Sequence, residues 1–169
     1  MQQPLNIVGD IDLRRKDAPE ISRANILTKL HIPSPKFKTV SHAPGGGRGS
    51  VDFIMPRLEA LEPKAEIKGE DPDLRKMFGE PTAWTFAASM RVFPENRWVS
   101  YRGEIYGAIA EFEGDEMTGE ELAGFNLVFK EVSRLVVQRD DEELFYWDYW
   151  ERELRPSSMA QASKRALGI

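Results

Sequence analysis

The segment with the most chemical promise is Ser41-His42-Ala43-Pro44-Gly45-Gly46-Gly47-Arg48-Gly49-Ser50, in which four glycines surround one cation. Glycine backbones can approach a phosphate closely and point their N–H groups at it. A nucleotide-binding loop of that kind, however, needs Gly-Lys-Ser/Thr or a Gly-x-Gly-x-x-Gly fingerprint that opens a helix. Here no lysine follows the glycines, and the next residues, Val51-Asp52-Phe53-Ile54-Met55-Pro56, alternate as a strand does. The loop therefore joins strand to strand and is expected to work as a connector. Its glycines give a backbone freedom that an assembly partner would have to order.

Other candidate chemistry is thinner still. Glu113, Asp115, Glu116, Glu120 and Glu121 form an acidic loop with no base among them. A catalytic carboxylate pair needs two environments that split its pKa values, whereas a charge block of this kind is expected to stay solvated. The two histidines, His31 and His42, stand far from any Gly-x-Ser-x-Gly elbow, and His31 falls on the polar side of its segment. The chain has no cysteine, which removes disulfides, thiolate metal sites and cysteine nucleophiles together. No catalytic, metal or cofactor residue is assigned, and no enzymatic activity is expected. The formal net charge is −5, from 28 acidic and 23 basic side chains, which disfavours gripping nucleic acid through its phosphates.

The elements that carry these residues read as mainly β. Leu5–Leu13 reads as a first strand, and Asn25–Ile32 as another, with Ile26, Thr28, Leu30 and Ile32 set against Leu27, Lys29 and His31 and with Pro33 as its stop. A strand over Leu61–Lys68 follows the one after the loop. Asp71-Pro72 then offers an N-cap and first-turn proline, and Gly79 a left-handed stop, for a two-turn helix with Leu74, Met77 and Phe78 on its apolar face. Thr82–Phe93 places Trp84, Phe86, Ala88, Met90 and Val92 on one side, Pro94-Glu95-Asn96 turns the chain, and Arg97–Glu113 returns. Gly103 and Gly107 inside that strand imply a bulge or a closely approaching backbone. Phe125–Val137 and Leu144–Glu151 are the last strands. Alternation along the second makes both of its faces aromatic, which points to cover from a partner subunit. Ser157 or Ser158 caps a short terminal helix with too small an apolar face to stand alone, which docking on a neighbouring chain would support.

The 169 residues fit one domain with a sizeable core. No apolar run reaches the roughly 20 residues of a membrane span, and the start has neither a basic nor an apolar leader region, so folding in a cytoplasm is expected.

In order and spacing, Ile26–Pro35 leading into Lys36-Phe37-Lys38 and the Gly-rich loop, then Gly49-Ser50-Val51-Asp52-Phe53, Leu61–Gly69, Val99-Ser100-Tyr101-Arg102-Gly103-Glu104-Ile105, Glu143-Leu144-Phe145-Tyr146-Trp147-Asp148 and the final Lys164-Arg165-Ala166-Leu167-Gly168-Ile169 cover nearly the whole chain. Taken together they resemble the major tail tube protein of contractile-tailed bacteriophages and R-type pyocins. The chain departs from that pattern at Arg155-Pro156-Ser157-Ser158, where the family usually has an Asn-Gly turn and an Asp.

The resemblance implies an antiparallel β-sandwich or barrel protomer with one or two short helices and a long Gly-rich inter-subunit loop. Such protomers form hexameric rings that stack into a tube inside a sheath, with baseplate and tail terminator proteins at its ends, in a virion tail assembled in the host cytoplasm. Genomic DNA passes through the lumen without specific binding and without any cofactor. The loop 41–50 (His42, Pro44, Gly45, Gly46, Gly47, Arg48, Gly49) and the terminal segments 1–24 and 152–169 are then expected as inter-subunit arms. Trp147, Tyr149, Trp150, Arg165 and Leu167 belong to the contacts around the closing strand and C-terminal arm, and Glu66, Glu104 and Glu111 are candidates for a negative lumen. Two other readings stand beside this one: the tube of a DNA-free contractile injection particle, and a free β-barrel binding module.

Overall fold

In a computed structural model, which describes residues 3–169, eight strands form one long antiparallel sheet, two more form a separate hairpin, and two short helices accompany them. The strands are β1 (Leu5–Arg15), β2 (Leu27–His31), β3 (Phe37–His42), β4 (Val51–Leu58), β5 (Lys64–Lys68), β6 (Thr82–Phe93), β7 (Arg97–Gly114), β8 (Gly124–Arg139), β9 (Glu142–Asp148) and β10 (Glu153–Arg155); the helices are α1 (Pro72–Lys76) and α2 (Ser158–Ala166). The main sheet runs β1-β6-β7-β8-β5-β2, with β9 also pairing β8 and β10 pairing β9. Its ends approach each other where β1 packs against β2, so the sheet curls into a barrel-like wall.

The curl follows from residues that interrupt a flat ladder. The β7–β8 pairing shifts register between Tyr106 and Ala108 and again between Ile109 and Glu111, and Glu131 on the partner strand takes φ 52°. Such bulges bend the strand and raise its twist. At Gly103 a Cβ would lie 2.0 Å from the Val136 carbonyl oxygen and 2.4 Å from the Phe86 ring, so glycine lets the sheet close over that ring. On either side of the bend β8 changes partner, pairing β5 through Gly124–Val128 and β9 through Arg134–Arg139.

Alternation sends one set of side chains inward. Leu13, Trp84, Phe86, Ile105, Ile109, Leu127, Phe129, Leu135 and Ile67 are essentially solvent-free, and Trp84 meets Phe129 edge-on with centroids 5.7 Å apart. At this burial each large apolar side chain contributes about 1.5–3 kcal/mol. The inside also holds one cation. Arg23 is 1% exposed, donates from Nε to Asp71 and from the guanidinium to Asp73, both at 2.7 Å, and lies 5.5 Å from the Trp84 ring centroid. Its backbone N–H donates to Asp12, so the segment between β1 and β2 is tied to β1 and to α1.

Several expectations hold to the residue. β6 spans Thr82–Phe93, the Pro94–Asn96 turn follows, and Asp71 caps α1 by accepting from the N–H groups of Asp73 and Leu74. Gly79 has φ +79°, and Ser157 caps α2. Others are corrected. The helix after Asp71 has five residues, and only Leu74 of its three expected apolar residues is buried, Phe78 being 52% exposed. A bulge between Leu27 and Lys29 breaks the expected phase, so that Leu27 is the buried residue of β2. The strand expected over Leu61–Lys68 begins only at Lys64, while Leu61 is buried ahead of it. Phe37–His42 is a strand in its own right and is the partner of β4, a pairing the sequence reading lacked.

The expected two-faced aromatic strand over Leu144–Glu151 stops at Asp148, whose carboxylate accepts from the N–H groups of Trp150 and Glu151 and turns the chain. Phe145 and Trp147 pack on the core, and Tyr149 and Trp150 lie in the turn and not on a strand. The helix α2, expected to need a neighbouring chain, docks on its own: Gln161 and Lys164 both donate to Glu153 of β10, at 2.6 and 2.9 Å.

Candidate assembly surfaces

The Gly-rich loop closes a hairpin that stands away from the barrel. β3 and β4 form a separate two-stranded sheet, and among the other strands and helices the hairpin packs only against α2. Val40, Val51 and Phe53 share one face of it with His42, and Ile54 lies on the other; these four apolar side chains are each more than half exposed. A two-stranded ribbon is at best marginally stable alone, and apolar residues on both faces have no core to enter here. Ser41 donates to Asp52 across the ribbon, and Gly47 N–H closes a turn onto the Pro44 carbonyl at 3.0 Å. At Gly45, Gly46 and Gly49 an added Cβ would meet nothing within 4 Å, so the tip is open on every side. Because β4 follows it, no helix N-terminus faces the glycines, and the anion-cradle geometry is missing.

A second exposed surface lies at the turn after β9. Tyr149 and Trp150 stack edge-on with centroids 5.0 Å apart, 60% and 77% exposed. Leu167 and Arg165 at the end of α2 are also exposed, whereas Trp147 is turned inward. A groove of about 370 Å³ separates α2 from β4 and the β9–β10 turn, lined by Pro56, Leu58, Trp147, Leu154 and Leu167. Of the expected N-terminal arm, Leu5–Arg15 is an edge strand on β6 and Leu13, Ala18 and Arg23 are buried; Leu5, Ile7 and Val8 remain exposed at its start.

The three candidate lumen glutamates share the sheet face opposite the core, since each sits beside inward-pointing neighbours such as Ile67 and Ile105. They differ in surroundings. Glu66 pairs with Lys29 at 3.1 Å and Lys68 at 3.4 Å, and the lysine hydrogen bonds hold its carboxyl below the usual range. Glu104 pairs with Lys16 at 2.8 Å and Arg134 at 3.4 Å. Glu111 is exposed and has no ion pair among the described residues, although it helps raise the pKa of Lys130. The acidic loop after β7 is exposed apart from Asp115, which takes a 2.5 Å bond from Lys68. Neither histidine has company: among the described residues no three His, Cys, Asp or Glu side chains are grouped to hold a metal. His31 and His42 are both exposed.

Sequence reasoning missed the Arg23 clasp, whose acidic partners lie 48 and 50 residues away, and the β3–β4 pairing.

The barrel-like β core thus carries an uncovered apolar ribbon with an open Gly-rich tip. Residues 22–156 match the family described as phage tail tube protein FII, and the chain belongs to that family of structural tail subunits. No curated protein matches the chain. The matched span takes in the hairpin, α1 and strands β2 to β10.

Proposed function

We propose that the chain forms hexameric rings which stack into a hollow tube inside a contractile sheath, and that this tube conducts the genome into the host. Family membership supports a tube subunit, and the observation that carries the assembly reading is the β3–β4 hairpin, which holds Val40, Val51, Phe53 and Ile54 out in solvent. Leaving these side chains exposed in a finished particle would waste several kcal/mol of burial, at roughly 1.5–3 kcal/mol for each when fully covered. In this reading His42, Pro44, Gly45, Gly46, Gly47, Arg48 and Gly49 form the tip that reaches a neighbouring ring. Tyr149, Trp150, Arg165 and Leu167 contact the adjacent subunit, while Trp147 supports them from the core side.

The core-averse face of the sheet lines the pore. Its lysines and arginines offset Glu66 and Glu104, so the lining is more nearly charge-balanced than the chain's −5 suggests, with Glu111 as its accessible acid. Such a wall neither binds phosphates in number nor presents bases with partners, which suits passage of DNA without retention. Sheath protein surrounds the tube, baseplate and terminator proteins bound it, and assembly takes place in the cytoplasm of the infected bacterium.

Light scattering of the purified chain over a concentration series tests the assembly. A mass of six chains, or multiples of six, is expected as concentration rises; a constant monomer mass would remove the reading.

A further inference from the structure

The hairpin's charge, set beside that of a distant loop, indicates where it docks. The β3–β4 arm carries Lys38, Arg48 and Arg57 against the single carboxylate of Asp52, which is engaged by Ser41, and at its base Lys36 stands beside Glu59, whose backbone N–H donates to the Lys36 carbonyl at 2.8 Å. Among the described residues none of these four cations has an ion-pair partner. The connection from β7 to β8 has the opposite deficit. Glu113, Glu116, Glu120 and Glu121 are exposed and equally without ion-pair partners, while Asp115 alone is neutralised by Lys68. Two large apolar side chains stand among these acids, Met117 at 97% and Leu122 at 80% exposure. Elsewhere the acidic turn after β8 is already partly engaged, Asp140 by Arg97 at 3.6 Å and Glu143 by Arg155 at 3.2 Å.

The two surfaces cannot satisfy each other within one copy. The hairpin leads through residues 59–63 into Lys64, the start of β5, whereas the acidic loop leads into Gly124, which pairs with Lys68 at the other end of β5. Opposite ends of one strand bearing complementary charge and apolar surface give a head-to-tail contact, the kind that repeats from copy to copy.

We propose that the β3–β4 arm of one subunit docks on the β7–β8 loop of the next, its cations facing Glu113, Glu116, Glu120 and Glu121 and its apolar side chains covering Met117 and Leu122. The proposal rests on the tail-tube reading and specifies the partner surface of that arm. Charge complementarity of this kind steers encounter and sets register, and it weakens as added salt shortens the screening length from about 8 Å at physiological ionic strength to about 3 Å at 1 M.

The absence of natural cysteine gives a clean test. Gly46 and Gly119 both accept a Cβ with nothing within 4 Å and have no left-handed φ, so Gly46→Cys and Gly119→Cys leave the fold unstrained. A chain with both substitutions is assembled, inspected by negative-stain electron microscopy, treated with a short bis-maleimide and run on a denaturing gel; a chain pairing Gly46→Cys with Asp141→Cys serves as comparison. The expected result is a ladder of covalent multimers for the first pair and not for the second. Visible particles with no ladder, or with equal ladders for both pairs, would overturn the docking assignment while leaving the tube reading in place. The lack of any particle, in the variants and the natural chain alike, would overturn both. As a second readout, Arg48→Glu is expected to block particle formation and Arg48→Glu with Glu120→Lys to restore it; full assembly of Arg48→Glu alone would count against the pairing.

Discussion

Arg23 is the sharpest point at which to perturb the protomer. Its side chain is fully shielded, and Asp71 and Asp73 are only 10% and 21% exposed, with both contacts at 2.7 Å. Replacing Arg23 with Ala removes those two charge-assisted bonds, a 3.3 Å bond to the Leu13 carbonyl and the cation above Trp84. The carboxylates do not become wholly unpaired, because Asp73 keeps Arg15 at 2.8 Å and Asp71 keeps its capping bonds to the N–H groups of α1. Breaking a buried pair by removing one partner costs about 3–5 kcal/mol, and the retained partners place the expected loss near the lower end, about 3 kcal/mol. For a chain of this length each kcal/mol moves the melting temperature by roughly 2–4 °C, which gives a fall of roughly 6–12 °C. Urea melts of the dilute chain, followed by far-UV circular dichroism, measure the loss as a fall in the unfolding midpoint. Arg23→Lys is expected to fall between, since an ammonium cannot span both carboxylates in the guanidinium's fixed fork. A loss below about 1 kcal/mol, the value of an exposed pair, would refute the clasp as a closure of the barrel.

Other positions give independent outcomes. Gly103→Ala drives a Cβ to 2.0 Å from a backbone carbonyl and is expected to cost at least the roughly 1–3 kcal/mol of an overpacked core, whereas Gly45→Ala leaves the urea midpoint unchanged. Val40→Asp with Phe53→Asp places two like charges opposite each other and loosens the ribbon, but keeps the unfolding free energy of the separate main sheet within about 0.5 kcal/mol and abolishes sedimenting particles, because both side chains are exposed until a neighbour arrives. Bonds from Lys164 and Gln161 hold the Glu153 carboxyl below the ordinary glutamate range. A depressed folded-state pKa contributes stability above the ordinary value, near 4.3, that is lost as pH falls through the folded one, so α2 is expected to lose amide protection below about pH 4. Glu153→Gln should remove that pH dependence; protection of residues 158–166 that is unchanged down to pH 3 would argue against the attachment.

How far the sequence discloses the fold depends on the range of the signal. β6, its turn and β7 are legible because fixed local patterns specify them: five alternating apolar residues, Pro-Glu-Asn, Gly107 at the first bulge and Gly103 where a backbone carbonyl comes close. The hairpin's first strand is obscured because Phe37-Lys38-Thr39-Val40-Ser41-His42 lacks alternation, for a ribbon outside the core has no face to bury. The misread end of β9 has a local cause as well. Aromatic alternation runs on through Tyr149 and Trp150, but the Asp148 carboxylate captures the next N–H groups, a turn signal outweighed by hydrophobic pattern. Apart from Lys68, which lies two residues beyond Glu66 on the same strand, the partners of Glu66 and Glu104 depend on contacts between segments distant in sequence, so Lys29, Lys16 and Arg134 could not be read beforehand. That the Gly-rich loop joins strand to strand, by contrast, is legible from a single local fact: the alternation of Val51–Pro56 right after the glycines.

In the proposed function the protomer assembles through its exposed arm into a hollow tube. Negative-stain electron microscopy of the concentrated natural chain, imaged beside the Val40→Asp/Phe53→Asp variant, tests it most directly. Six-fold rings and open-centred tubes are expected for the natural chain and isolated protomers for the variant. Isolated protomers in both, or tubes in both, would contradict assembly through the arm.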